Sequence, residues 1–133
     1  MSQKTILVVD DEAHILHVVS LKLQNAGFNV ITARDAEEAF EAATTSSVDM
    51  VITDYQMPPG ATGLELARRL HNHPGKRGLP MILLTAHGLG IEPIVLAQNG
   101  IAACIAKPFS PREVLGKVNS LLENAAAVAA VPH

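Results

Sequence analysis

In four places this sequence sets a charged or hydroxyl side chain at the end of a short apolar run. Thr5-Ile6-Leu7-Val8-Val9 ends on Asp10-Asp11-Glu12, and Val48 to Thr53 ends on Asp54. Met81-Ile82-Leu83-Leu84 ends on Thr85-Ala86, and Ile101 to Ala106 ends on Lys107-Pro108. Brought to one place, these are three or four carboxylates, a hydroxyl and an ammonium. Crowded carboxylates repel, so such a group takes up a proton or holds a cation. One or two carboxylates, a backbone carbonyl and several waters are the usual surroundings of Mg²⁺. A lysine adds a compact positive charge suited to a phosphoryl oxygen. The set reads as a phosphate pocket whose own nucleophile is a carboxylate.

The elements needed to bring these residues together are legible. Thr5–Val9, Phe28–Ala33, Val48–Asp54, Met81–Leu84 and Ile101–Ala106 read as strands, several of them continuously apolar, as expected for strands buried on both faces. Pro58, Pro59 and Gly60 end the third, since they cannot continue a central strand. Between the strands run helical stripes. Ile15, Leu16, Val19 and Leu23 lie in a helix over Ala13–Ala26, closed by Gly27. Ala36, Ala39, Phe40 and Ala43 follow a cap signature at Asp35 and Glu38, and Leu66, Ala67 and Leu70 follow another at Thr62 and Glu65. Asn72 to Gly78 closes that helix. His87 to Asn99 is the weakest helix, because Gly88, Gly90 and Pro93 oppose it. Ser110, Pro111 and Glu113 open the last, with Val114, Val118, Leu121 and Ala125 as its stripe. Strand and helix alternate throughout, so the expected fold class is α/β, a parallel sheet with helices on both faces and right-handed crossovers. In such a sheet the carboxyl ends of the strands share one edge, where ligands bind.

Composition narrows the function classes. The 133 residues suit one domain, and with 48% hydrophobic but 3% aromatic content the core must be built of Val, Ile, Leu and Ala. A net charge of −3 without a Lys/Arg cluster gives no case for nucleic acid. Arg68-Arg69 and Lys76-Arg77 read as solvated pairs. Cys104, the single cysteine, excludes an internal disulfide and reads as a small buried hydrophobe. The chain shows no secretory signal and no apolar run long enough to span a bilayer, so a cytoplasmic protein is expected. His14, His17, His71, His73 and His87 have no metal-ligand spacing, and Gly88-Leu89-Gly90 is no dinucleotide fingerprint.

The acidic pair Asp10-Asp11, the run Asp54-Tyr55-Gln56-Met57-Pro58 with Gly63 beyond it, Thr85-Ala86 and Lys107-Pro108-Phe109 occur in order, each at a strand end. By these motifs, and over nearly its whole length, the chain resembles the receiver domain of two-component response regulators. The resemblance implies a flavodoxin-like fold, a five-stranded parallel sheet in the order 2-1-3-4-5. It implies a receiver domain over residues 1–124, leaving 125–133 as an Ala-rich tail or linker stub. Asp54 would accept a phosphoryl group from phosphohistidine on a histidine kinase or phosphotransferase. Asp11 would be the chief ligand of Mg²⁺, with Asp10, Asp54 and the Gln56 backbone carbonyl. Lys107, its bond to Pro108 cis as in the family, would hold a phosphoryl oxygen. Thr85 would swing its hydroxyl to the phosphoryl group, and Ala86 would keep access open. Gln56 and His87 sit where family members tune phosphate lifetime. The output would be a partner-binding switch or phosphate relay from a signalling domain rather than a turnover enzyme, directed at a downstream target protein. The fourth helix, fifth strand and fifth helix form the family's usual dimer or target face, and here Leu96, Ile101 and Ala102 would serve a self-contact.

The chain departs from the family pattern in the place of the usual aromatic three residues before the lysine, which is Cys104. Its Asp54–Gly63 loop is one residue longer than usual, and His87-Gly88-Leu89-Gly90 should loosen the helix that follows. These departures direct the output signal through mobility of the 87–99 segment instead of an aromatic flip. They also leave open a phosphorylation-independent interaction module with a receiver fold, which Asp54→Asn would still support. A phosphatase using Asp54 on small substrates would want a second acid or base nearby, and Gln56 is neither. The length leaves no room for an output domain, so the chain either relays phosphate, binds its target directly, or is the receiver part of a longer protein.

Overall fold

Ten elements alternate along the chain: β1 (Thr5–Val9), α1 (Ala13–Asn25), β2 (Asn29–Ala33), α2 (Ala36–Thr45), β3 (Met50–Asp54), α3 (Gly63–His71), β4 (Met81–Ala86), α4 (Pro93–Gln98), β5 (Ile101–Lys107) and α5 (Pro111–Ala130). The computed structural model describes residues 3–57, 62–76, 78–86 and 92–130. All strand pairs are parallel, in the order β2-β1-β3-β4-β5. This is the flavodoxin-like (βα)5 arrangement.

The continuous apolar strands follow from burial on both faces. On one face Leu7, Val9, Val51 and Leu83 pack with Ala39 and Ala43 of α2 and Leu66 and Leu70 of α3. On the other, Ile6, Val8, Ile52, Ile82 and Leu84 pack with Leu16, Val19 and Leu23 of α1 and Val114 and Val118 of α5. Each aliphatic side chain so buried contributes about 1.5–3 kcal/mol. That burial makes the sheet a rigid base for its rim.

The helix ends follow local chemistry. Asp35 accepts from the Glu38 amide at 2.8 Å and Thr62 from the Glu65 amide at 3.2 Å. Ser110 and Glu113 cap one another reciprocally. Gly27 closes α1 at φ 99°, a torsion that side chains disfavour. Pro93 opens α4 at its first turn, where the missing N–H costs nothing, so it begins that helix instead of opposing it. The proposed looseness at His87 to Gly90, and the Pro58-Pro59-Gly60 loop, lie outside the described residues.

Two further expectations need correction. Cys104 is exposed, not buried. It sits on the sheet's edge strand between Ala103 and Ile105, which pack against the core, so strand alternation turns its own side chain to the other face. Ile101, expected at a self-contact, is instead 7% exposed in the core, while Ile94 on α4 is 62% exposed. Arg69 keeps 38% of its side chain exposed, as a solvated residue should, while its guanidinium lies 4.2 Å from the Phe40 ring centre and 2.7 Å from Glu37, linking α3 to α2.

Candidate functional site

Strand register decides which side chains meet. Val9 pairs with Thr53, so the residues just past them, Asp10 and Asp54, leave the sheet side by side. Asp54 pairs with Leu84, which places Thr85 one step beyond it, and Ala86 pairs with Lys107. The β1–β3 boundary is also where the strand order reverses, the crevice position of an open α/β sheet.

The side chains converge as the strand ends suggest. One carboxylate oxygen from each of Asp10, Asp11 and Asp54 lies within 4.8 Å of the others. Lys107 Nζ donates to Asp54 Oδ1 at 3.0 Å and stands 3.8 Å from Asp10 Oδ2. Asp10 is fully buried. Its Oδ1 accepts the Glu12 amide at 2.9 Å, but its Oδ2 is buried with no hydrogen-bond partner.

The electrostatics record this crowding. Burial, then the charges of Asp54 and Asp11, lift the Asp10 carboxyl to about 6 against the Glu12 amide and Lys107. Burial likewise raises Asp54, with the Lys107 hydrogen bond and charge opposing it. Burial pushes Lys107 down, yet its bond to Asp54 and the charges of Asp54, Asp10 and Glu12 outweigh that and hold it above the ordinary lysine range. Three carboxylates face one ammonium, so negative charge is left over. The Asp10 Oδ2, without a hydrogen-bond partner, and this excess fit a hard divalent cation, for which all-oxygen donors are the matching set.

Among the described residues no other group of His, Cys, Asp and Glu comes together in this way. Gln56, two residues past β3, is exposed. Thr85 is half-buried at the end of β4. The Lys107–Pro108 bond is cis. His87 lies outside the described residues.

Sequence reasoning named Gly63 as part of the motif but missed Thr53 and the contacts that both make beneath this rim. Buried Thr53 directs Oγ1 to the Asp54 carbonyl at 3.0 Å and toward Met57 Sδ at 3.8 Å. Gly63 donates its N–H to the Tyr55 carbonyl at 2.7 Å. Nothing in their types or spacing announces these contacts.

Comparison with known proteins agrees with the geometry. The family model described as the response regulator receiver domain matches residues 6–119. The chain is 36% identical over 122 residues to the phosphate regulon transcriptional regulatory protein PhoB of Pseudomonas aeruginosa, covering 92% of this chain and 53% of that one. It thus spans about half the length of the curated relatives it matches. Among solved structures, the chemotaxis response regulator CheY4 of Vibrio cholerae superposes with a TM-score of 0.81 at 29% identity, over 90% of this chain and 98% of that one. A CheY-like receiver domain protein from Methanospirillum hungatei gives 0.84 at 28% identity, over 92% and 96%.

Proposed function

The chain belongs to the response regulator receiver domain family, and from that premise we propose that Asp54 is the phosphoacceptor of a two-component or phosphorelay pathway. The donor is phosphohistidine on a histidine kinase or phosphotransferase. One observation carries the assignment: Asp54 alone among the rim carboxylates both accepts the Lys107 ammonium at 3.0 Å and belongs to the three-carboxylate group.

An Asp54 oxygen attacks phosphorus, the P–N bond to the donor imidazole breaks, and a P–O bond forms. The imidazole leaves as the neutral ring, its other nitrogen carrying a proton that it held before transfer or takes from water. Lys107, already beside the carboxylate, is placed to follow the charge onto a phosphoryl oxygen. Asp10, Asp11, Asp54 and the Gln56 backbone carbonyl would hold Mg²⁺, which when bound offsets the charge brought together by carboxylate and phosphoryl group. Thr85, at the end of β4 one step past the residue that pairs with Asp54, would donate its hydroxyl to the phosphoryl group and couple phosphorylation to the β4–α4 side. The outcome is a two-state bias read by a partner.

The chain acts as an acceptor and switch rather than a turnover enzyme. We assign the receiver unit to residues 1–124 and a tail or linker stub to 125–133. Among the described residues no helix is long and apolar enough to cross a membrane, and we place the protein in the cytoplasm. Its partners are the phosphodonor and a downstream protein, with no direct contact to nucleic acid. A second copy could dock on the α4–β5–α5 face, where Ile94 and Ala102 are exposed.

Beryllofluoride, a stable mimic of an aspartyl phosphoryl group, tests the site apart from its lifetime. Calorimetry should show binding with Mg²⁺, none with a chelator, and none to Asp54→Asn. Equal binding by Asp54→Asn would refute the assignment.

A further inference from the structure

Tyr55, the residue after Asp54, is held through both of its backbone polar groups. The Tyr55 amide donates to the Leu84 carbonyl at 2.9 Å, and the Tyr55 carbonyl accepts the Gly63 amide at 2.7 Å. Gln56 follows Tyr55 directly. Gly63 is buried where α3 starts, and a Cβ there would overlap the Asp54 carbonyl oxygen, stand 3.1 Å from its carbon and 3.0 Å from Leu83 Cδ1. The obstructing atoms are mostly backbone, which cannot swing aside. Gly63 is not among the glycines with positive φ, so torsion does not require a glycine here. Proximity does. Thr53, fully buried, adds a tie from beneath, its hydroxyl 3.0 Å from the same Asp54 carbonyl and 3.8 Å from the sulfur of buried Met57.

Two features therefore bear on one carbonyl group: a hydroxyl that holds it and a missing side chain that leaves room for it. The peptide plane so fixed joins Asp54 to Tyr55, and rotation of that plane would move the acceptor carboxylate on one side and the Gln56 carbonyl on the other. We propose that Gly63 and Thr53 are positioning residues for the metal-binding rim, acting through the Asp54–Tyr55 peptide. The proposal rests on the reading of the rim given under Proposed function. Neither residue touches the reacting atoms.

The test is Mg²⁺ affinity of the full chain, followed by the fluorescence of Tyr55, the sole tyrosine in a chain without tryptophan. Gly63→Ala, Thr53→Val and Thr53→Ser are compared with wild type, and metal-free thermal unfolding is measured for each, so that affinities are read where every variant is folded. Gly63→Ala and Thr53→Val are expected to weaken Mg²⁺ binding by about tenfold or more, the usual scale for residues that orient metal ligands, and Thr53→Ser to restore it. A purely structural role would lower the melting temperature and leave the affinity of the folded protein unchanged, which would overturn the proposal. If Gly63→Ala does not fold, the contrast between Thr53→Val and Thr53→Ser decides: equal affinities overturn the proposal. A wild-type chain that ignores Mg²⁺ overturns the proposed function itself, and this inference with it.

Discussion

Lys107 Nζ and Asp54 Oδ1 are 3.0 Å apart, although the two residues belong to strands that do not touch. β4 lies between β3 and β5, and the lysine reaches across its end. Parallel register makes this reach possible: Asp54 pairs with Leu84, and Ala86, two residues on, pairs with Lys107.

Loss of that ammonium should cost rate more than stability. Lys107→Ala is expected to slow phosphoryl uptake from a small phosphodonor by roughly 10²- to 10³-fold, the scale of removing one donor aimed at developing charge. Lys107→Arg should recover little, since a planar fork does not replace a point charge. Time-resolved mass spectrometry checks this. Uptake by Lys107→Ala at the wild-type rate would contradict it.

The metal-free protein should become more stable as acidity rises from neutral. Asp10 in the fold binds its proton at about 6, against 3.8 for a free carboxyl. A raised carboxyl favours the fold when protonated; that contribution is complete below the unfolded value and vanishes as pH climbs through the folded one. Across the window it amounts to the order of 3 kcal/mol. Urea unfolding should show a gain between about pH 7 and pH 5, and Asp10→Asn should be more stable than wild type near neutrality with a flatter profile. Asp10→Asn less stable than wild type near pH 7 would contradict this account.

Much of this rim could be read before the fold was seen, because strand ends are set by local chemistry. Apolar runs stop at Asp10, Asp54 and Lys107, and parallel topology places such ends together whatever fills the core. Caps at Asp35, Thr62 and Ser110 were legible for the same reason. What escaped depends on neighbours distant in sequence. Whether Cys104 is covered depends on what packs beside an edge strand. Ile101 packs on the face opposite Ala103 and Ile105 because the β4–β5 register shifts between them. The need for a glycine at 63 comes from the nearness of Asp54, which no periodicity encodes.

Cys104 supplies a direct check on that correction. Being exposed, it should react with a disulfide reagent in the folded protein, although burial of part of its surface raises its pKa and slows the reaction relative to a free thiol. Labelling seen only after unfolding would restore the buried reading.

A core substitution separates stability from chemistry. Leu23, fully buried on α1, packs in the cluster between the sheet, α1 and α5. Leu23→Ala should cost about 2–5 kcal/mol, measured by denaturant unfolding, while Mg²⁺ affinity of the folded protein stays at the wild-type value. A changed affinity would mean that the rim is not insulated from its base.

The central claim is that Asp54 takes a covalent phosphoryl group, and intact mass tests it most directly. Wild type and Asp54→Asn are incubated with acetyl phosphate, with Mg²⁺ and with a chelator. The account requires wild type to gain one phosphoryl group only when Mg²⁺ is present, and Asp54→Asn to gain none. A gain of equal size in Asp54→Asn, or one indifferent to the chelator, would contradict it.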